Sequence, residues 1–171
     1  EFRRVLFRSS VESLIGSAGT DTLALTATSN SLFVSGVESI TGTSSNDTLT
    51  LTNTQGGAAI DLGAGSNDVL NLAAGGNTIT VLNVESVAGC SGTDVVTMGA
   101  AGSIALSSVE SLIGSAGTDT LTLTATTNSL FVSGVETITG TGSNDALTLT
   151  NNQSGAVINL GVGTNDVLNL T

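Results

Sequence analysis

The chain has 171 residues with 14 Asp or Glu, three Arg, no Lys, His, Trp or Tyr, and a formal charge of -11. Because no Lys, His or Tyr is present and the single Cys90 has no base to activate it, we predict that the chain is not an enzyme. Residues 9–171 contain no cation, which argues against binding to nucleic acid or an anionic membrane. No apolar run approaches the roughly 18 residues of a membrane span, and one Cys excludes an internal disulfide.

The first nine residues, EFRRVLFRS, contain all three Arg residues and two of the four Phe residues. The string resembles a translated sequencing-adapter read. We therefore predict that residues 1–9 are an artefact and not native, and that residues 10–171 form one array. The final residues stop in the middle of the repeating pattern, so we expect a fragment of a longer protein.

Short apolar stretches follow one another from residue 11 onward, separated by Gly, Ser, Asn and Thr. The first are VESLIG at 11–16, DTLAL at 21–25, SLFV at 31–34 and VESITG at 37–42. Later ones are AAIDLG at 58–63, TITVL at 78–82 and VESVAG at 84–89. Their apolar residues alternate with polar ones, which is the period of a β-strand, and none has helical spacing.

The chain then repeats itself. Residues 10–73 and 108–171 align without gaps at an offset of 98 and differ at only 12 of 64 positions. A shorter repeat lies inside this long one and is marked by an Asp that follows a Gly by five residues. These aspartates are Asp21, Asp47, Asp68, Asp94, Asp119, Asp145 and Asp166, at spacings of 26, 21, 26, 25, 26 and 21 residues.

The residues two and four positions after each Asp are apolar, so both side chains point to one side of a strand. One such unit could not bury its apolar face alone, whereas stacked units would form a continuous core. The sequence therefore predicts an all-β fold, a parallel β-solenoid with rungs of 21–26 residues and six to seven rungs. An antiparallel sandwich is the alternative, but it gives no reason for the long repeat.

Stacking would place the seven aspartates in one column. Glu12, Glu38, Glu85, Glu110 and Glu136, each nine residues before an Asp, could form a second column or a solvated outer row. Like charges about 5 Å apart repel, by about 3 kcal/mol at an effective dielectric near 20. Either the column is hydrated or it binds cations, and oxygen ligands favour Ca²⁺. The other possibility is that each Asp only closes its own turn through backbone hydrogen bonds.

The segments VESLIGSAGTDTL (11–23 and 109–121), VESITGTSSNDTL (37–49) and VETITGTGSNDAL (135–147) resemble the RTX, or hemolysin-type calcium-binding repeat, proteins of bacteria. Degenerate repeat segments of large bacterial adhesins and surface-layer proteins look equally similar. The resemblance implies calcium in the turns, with the seven aspartates as side-chain ligands. The chain departs from the family pattern because its second Gly is replaced at every site and its Asp does not recur every nine residues.

We therefore expect a structural, calcium-stabilised spacer or stalk in a secreted or cell-surface bacterial protein. Its expected partners are calcium ions, the neighbouring repeats of the same polypeptide and a surface glycan. Alternatives are a spacer without metal, and a module that binds polysaccharide or ice through a Thr-rich outer face. Phe33 and Phe131 are expected in the core or between strands, Met98 in a core position, and Cys90 in a turn.

Overall fold

The structure is a computed structural model that describes residues 3–7, as backbone, and residues 12–171. Nineteen strands are present in these segments, and no helix is found among the described residues. They are β1 (Arg3–Phe7), β2 (Ser13–Ile15), β3 (Asp21–Leu25), β4 (Ser31–Ser35), β5 (Ser39–Thr43), β6 (Thr48–Leu51), β7 (Gly56–Gly63), β8 (Val69–Asn71), β9 (Thr78–Leu82), β10 (Ser86–Ala88), β11 (Val95–Met98), β12 (Ser103–Ser107), β13 (Ser111–Ile113), β14 (Thr120–Leu123), β15 (Asn128–Ser133), β16 (Thr137–Thr141), β17 (Asp145–Leu149), β18 (Val157–Gly161) and β19 (Val167–Leu170).

Consecutive strands alternate between two parallel sheets. The odd-numbered strands form a ten-stranded sheet in sequence order, here called the first sheet, and the even-numbered strands form a nine-stranded second sheet. The chain therefore coils, and each turn of the coil contains one strand of each sheet. This arrangement of about nine turns confirms the predicted parallel β-solenoid.

The turns are shorter than the spacing of the aspartates suggested. The shortest step between register partners in neighbouring strands runs from Val95 to Ser111, and the longest runs from Gly56 to Thr78. The 21-residue spacings of the aspartates therefore correspond to one turn, whereas the predicted rung lengths of 25 and 26 residues do not. Each turn has two corners, and Asp marks only some of them, so the distance from one Asp to the next is not always the length of a turn.

The core lies between the two sheets and is built from the alternating apolar residues. Leu23, Leu49, Leu70, Val96, Leu121 and Leu147, each two residues after an Asp, are fully buried. Met98 occupies the expected core position and is buried too. In β19, the outermost strand of the first sheet, the same pattern places Leu168 and Leu170 at 42% and 73% exposure.

The 98-residue repeat contains an odd number of strands, and this places its two copies on opposite sides of the solenoid. Strand β2 of the second sheet corresponds in sequence to β13 of the first sheet, and β3 of the first corresponds to β14 of the second. The same exchange holds for every later pair through β8 and β19. One long repeat therefore advances the coil by five and a half turns.

The outer faces carry small polar and apolar side chains. Phe33 and Phe131 point outward and are 52% and 54% exposed, so the expectation that they lie in the core is wrong. Each lies between two buried core residues of its strand, which fixes it on the outer face.

Strand β1 pairs in parallel with β3, with Arg3 in register with Asp21. Residues 1, 2, 8 and 9 of the segment expected to be an artefact lie outside the described residues, and that expectation stays a prediction. None of the described segments forms a helix long and apolar enough to cross a membrane.

Candidate functional site

The candidate site consists of the corners, where all seven aspartates lie. Asp47 illustrates the aspartate corner, which follows β5 and precedes β6. Its Oδ2 accepts hydrogen bonds from the N–H and the hydroxyl of Thr43, at 2.8 and 3.1 Å. Its Oδ1 accepts from the N–H and the side-chain amide of Asn30 in the preceding turn, at 2.8 and 2.7 Å. One buried carboxylate therefore closes its own corner and ties it to the turn before.

Four other aspartates repeat the contact within the corner. In each, the N–H of the residue four positions earlier donates to Oδ2, from Ser17 to Asp21, Cys90 to Asp94, Ser115 to Asp119 and Thr141 to Asp145. Cys90 lies in this turn as expected and is exposed. The apolar residues after each Asp anchor the strand, while the Gly before it allows the close approach of the neighbouring corner.

The glutamates mark a second type of corner. Two residues before Glu38, Glu85, Glu110 and Glu136 the backbone has positive φ, at Gly36, Asn83, Ser108 and Gly134 respectively. The Val between these two residues is buried in the core. The Glu Oε2 then accepts the N–H of an Asp in the preceding turn, as from Asp21 to Glu38 at 2.8 Å. The expectation of a solvated glutamate row is therefore wrong for these four carboxylates, which are half-buried and bonded to main chain.

Together these contacts form chains that we call carboxylate ladders, in which each side chain accepts the N–H of its neighbour in the preceding turn. Five are present among the described residues: Asp21–Glu38; Asn30–Asp47–Asp68–Glu85; Gln55–Asn77–Asp94–Glu110; Gly102–Asp119–Glu136; and Asn128–Asp145–Asp166. Four of them end on a Glu.

The structure does not place the seven aspartates in one column, so that expectation is wrong. Asp21, Asp94, Asp145 and Asp166 lie at corners leading into the first sheet, and Asp47, Asp68 and Asp119 at corners leading into the second. Only Asp47 with Asp68, and Asp145 with Asp166, are direct neighbours. The cause is the turn length, because the longer steps from one Asp to the next cover about one and a half turns.

The prediction from the sequence did not include the asparagines of the ladders. Asn30 and Asn128 each begin a ladder, and Asn77 lies within one. Asn30, Asn77 and Asn128 each lie 17 residues before an Asp and donate an N–H and a side-chain amide to its Oδ1. A signal was present: Asn-Ser-Leu and Asn-Thr-Ile occupy the same place before a strand as Asp-Thr-Leu.

Asp68 has the poorest environment of the buried aspartates. Its Oδ1 accepts the Asp47 N–H at 2.6 Å, but its Oδ2 is buried without a hydrogen-bond partner. The residue four positions earlier is Ala64, whose N–H donates instead to the Thr43 carbonyl. Burial, together with the charges of Glu85 and Asp47, raises the pKa of Asp68 above its ordinary value, although the N–H groups of Asp47 and Gly65 act against this.

Asp145 shows the opposite balance. Burial works to raise its pKa, but hydrogen bonds from Asn128 and Thr141 outweigh burial and hold the pKa of Asp145 below its ordinary value. The difference between Asp68 and Asp145 therefore follows from the donors around each carboxylate and from the neighbouring charges at Asp68.

The corners of Asp47, Asp94, Asp119 and Asp145 do not fit the calcium site that the family resemblance implied. Calcium takes six to eight oxygen ligands, whereas the oxygens of Asp47, Asp94, Asp119 and Asp145 face N–H and hydroxyl donors. The positive ends of these donors occupy the directions from which a cation would bind. In residues 12–171 no three acidic or thiol side chains converge as a metal-binding group.

The outer faces do not carry a regular Thr array. On the second sheet one outward row runs through Thr48, Val69, Ser86, Ala105, Thr122 and Thr139. Thr residues are stacked directly on one another only at Thr120 with Thr137 and at Thr122 with Thr139 within this sheet. A depression beside Glu85 and Met98 has a volume of about 110 Å³, smaller than the several hundred Å³ of a typical ligand site.

No protein-family model matches the chain, and no curated protein or solved structure is significantly similar to it.

Proposed function

We propose that the chain is a structural repeat segment that serves as a rigid spacer or stalk in a secreted or cell-surface bacterial protein. The observation that carries this proposal is the uninterrupted stack of about nine turns, with one core and one pair of hydrogen-bonded sheets. In such a stack each turn contacts only its neighbours, so length grows with the number of repeats while the cross-section stays constant.

The composition supports an exposed location. Residues 10–171 carry 13 carboxylates and no cation, which keeps a protein soluble and opposes self-association through charge repulsion. Location outside the cell is part of the proposal, as is attachment to further segments of a longer protein.

Inserting one more copy of residues 10–107 between residues 107 and 108 tests the spacer proposal. The insert adds five and a half turns, so small-angle X-ray scattering should show a maximum dimension longer by about 26 Å, at about 4.8 Å per turn. The cross-sectional radius of gyration should not change. A particle that instead becomes wider, with little gain in length, would contradict the proposal.

A second candidate function is binding of a surface glycan through the outer faces. Phe33 and Phe131 favour it because their rings are half-exposed on the outer faces, and each lies between a Ser and a Thr of the neighbouring strands. Binding of a neutral polysaccharide that is lost in the Phe33→Ala, Phe131→Ala double variant would support this function. Binding unaffected by the double variant would contradict it.

A further inference from the structure

We infer that the fold of this solenoid forms without a divalent cation. The corner carboxylates, and not bound metal ions, join consecutive turns, because they accept main-chain N–H groups. This inference disagrees with the calcium-filled turns implied by the family resemblance. It does not depend on the spacer function proposed above.

Hydrogen bonds at these corners run from N–H and hydroxyl donors to the carboxylate oxygens. Asp119 accepts from the Gly102 N–H at 2.9 Å in the preceding turn and from the Ser115 N–H at 2.7 Å in its own corner. The Ser115 hydroxyl also lies within 3.2 Å of both carboxylate oxygens. The carboxylate is fully buried, so a calcium ion could reach it only by displacing these donors and leaving the Gly102 and Ser115 N–H groups without their acceptor.

The ladders also contain neutral members. Asn77 accepts the Gln55 N–H at 3.0 Å, in the same position and geometry in which Asp94 accepts the Asn77 N–H at 2.9 Å. A calcium site needs the charge of the carboxylate, whereas a ladder needs only an acceptor oxygen. Because one ladder contains both Asn and Asp, its members are needed as hydrogen-bond acceptors and not as negative charges.

The negative charges within a ladder are compensated by main-chain N–H groups. Neighbouring carboxylates such as Asp119 and Glu136 repel each other, and residues 12–171 contain no Lys, Arg or His to neutralise them. An N–H donated to each carboxylate provides the compensation, because hydrogen bonds to charged groups are about twice as strong as those between neutral groups. The dipoles of the main-chain N–H groups in each ladder therefore offset the charges of its carboxylates.

The direct test is thermal unfolding of the full chain, followed by circular dichroism, after exhaustive treatment with a chelator and then with excess Ca²⁺ or Mg²⁺. We expect a folded β spectrum in chelator and a melting temperature that Ca²⁺ does not raise above the value in Mg²⁺. Unfolding by the chelator, or a rise specific to Ca²⁺, would overturn the inference. Either result would leave the spacer proposal standing, since a calcium-filled rod is still a rod.

The second test measures hydrogen exchange at the two donors of Asp119. In Asp119→Ala, protection of the Gly102 and Ser115 amides should fall about tenfold to a hundredfold, because both lose their acceptor. Asp119→Asn keeps one acceptor oxygen, so only one of the two amides should lose protection. Equal protection in all three proteins would contradict the assignment.

Asp61→Asn is the matched control. Asp61 lies on the outer side of β7, accepts from Gly63 and Asn83, and corresponds to Asn159 in the second copy of the long repeat. This variant removes one carboxylate charge without touching a ladder. It should leave the Gly102 and Ser115 amides protected, and a loss of protection there would show that net charge, not the ladder, is responsible.

Discussion

At the scale of single residues, the chemistry of each aspartate depends on how many donors its corner supplies. Asp145 receives the N–H and the amide of Asn128 together with the N–H and hydroxyl of Thr141. Asp68 accepts the Asp47 N–H but has an oxygen without a hydrogen-bond partner, because the Ala64 N–H donates to the Thr43 carbonyl and Ala64 has no hydroxyl to replace it. A single change from a hydroxyl residue to Ala, combined with a different turn, accounts for the different hydrogen bonding of Asp68 and Asp145.

The opposite pKa directions predict opposite effects of the same substitution at neutral pH. Asp68→Asn should stabilise the fold by about 1 kcal/mol, because it removes a buried and poorly paired charge. Asp145→Asn should destabilise it by about 1–2 kcal/mol, because its amide would face the Thr141 donors. Urea denaturation of the two variants and the wild type measures both.

The pH dependence follows from the same shifts. The pKa of Asp145 is lowered on folding, so its ionised form stabilises the protein above the unfolded pKa and this contribution is lost as the pH falls through the folded value. The pKa of Asp68 is raised, so the cost of its ionised form is relieved as the pH falls through its folded value. The difference in stability between the wild type and each of the variants Asp68→Asn and Asp145→Asn should therefore become smaller as the pH falls. A difference that grows in acid would contradict the environments described for the two carboxylates.

At the scale of the elements, the two corner types have different requirements. The aspartate corner needs a Gly five residues before the Asp because neighbouring corners touch there: a Cβ on Gly114 would lie 1.7 Å from the Gly134 carbonyl oxygen. The glutamate corner needs positive φ two residues before the Glu, and Asn83 and Ser108 adopt it as well as Gly. The first requirement is one of space, and the second is one of backbone conformation.

Gly114→Ala tests the requirement for space. The methyl group cannot be accommodated without moving main chain, so we expect a loss of about 3 kcal/mol or more in the free energy of unfolding. Gly56→Ala is the control, because a Cβ there meets nothing within 4 Å and its φ is not positive. Equal losses from the two variants, measured by chemical denaturation, would contradict the close approach of the corners.

At the scale of the whole molecule, the odd number of strands in each long repeat decides what the outer surface presents. Ile15 and Phe33 are exposed on the second sheet, and the equivalent Ile113 and Phe131 are exposed on the first. The two copies therefore display the same residues on opposite sides of the rod. This exchange is a property of the winding and cannot be seen in either copy alone.

Paired cysteines distinguish this winding from a single aspartate column. In a Cys90→Ser background, Ser31→Cys with Thr48→Cys should be joined by a short bifunctional thiol reagent, because residues 31 and 48 are register partners in the second sheet. Thr22→Cys with Thr48→Cys should not be joined, since residue 22 lies in the first sheet, although each position follows an Asp. Efficient joining of the second pair would support one column and exclude the observed winding.

The amino-acid sequence by itself determined the strands, their inward faces and the stacking. Leu23 and Leu25 alternate with polar residues, and this local period of two fixes which side of a strand enters the core. The near-identity of the two long repeats then requires a repetitive fold. The inward position of Met98 and the corner position of the aspartates were predictable for the same local reason.

Only the tertiary structure decided which corners stack on one another. The register between turns depends on the summed length of two strands and two corners, so a change of a few residues in any one of them moves an Asp to the other side of the coil. For this reason the partnership of Asn30 with Asp47 and the bond from Asp21 to Glu38 could not be obtained from local pattern. Hydrogen bonds between residues 17 positions apart are set by the winding of the whole coil, which no single repeat encodes.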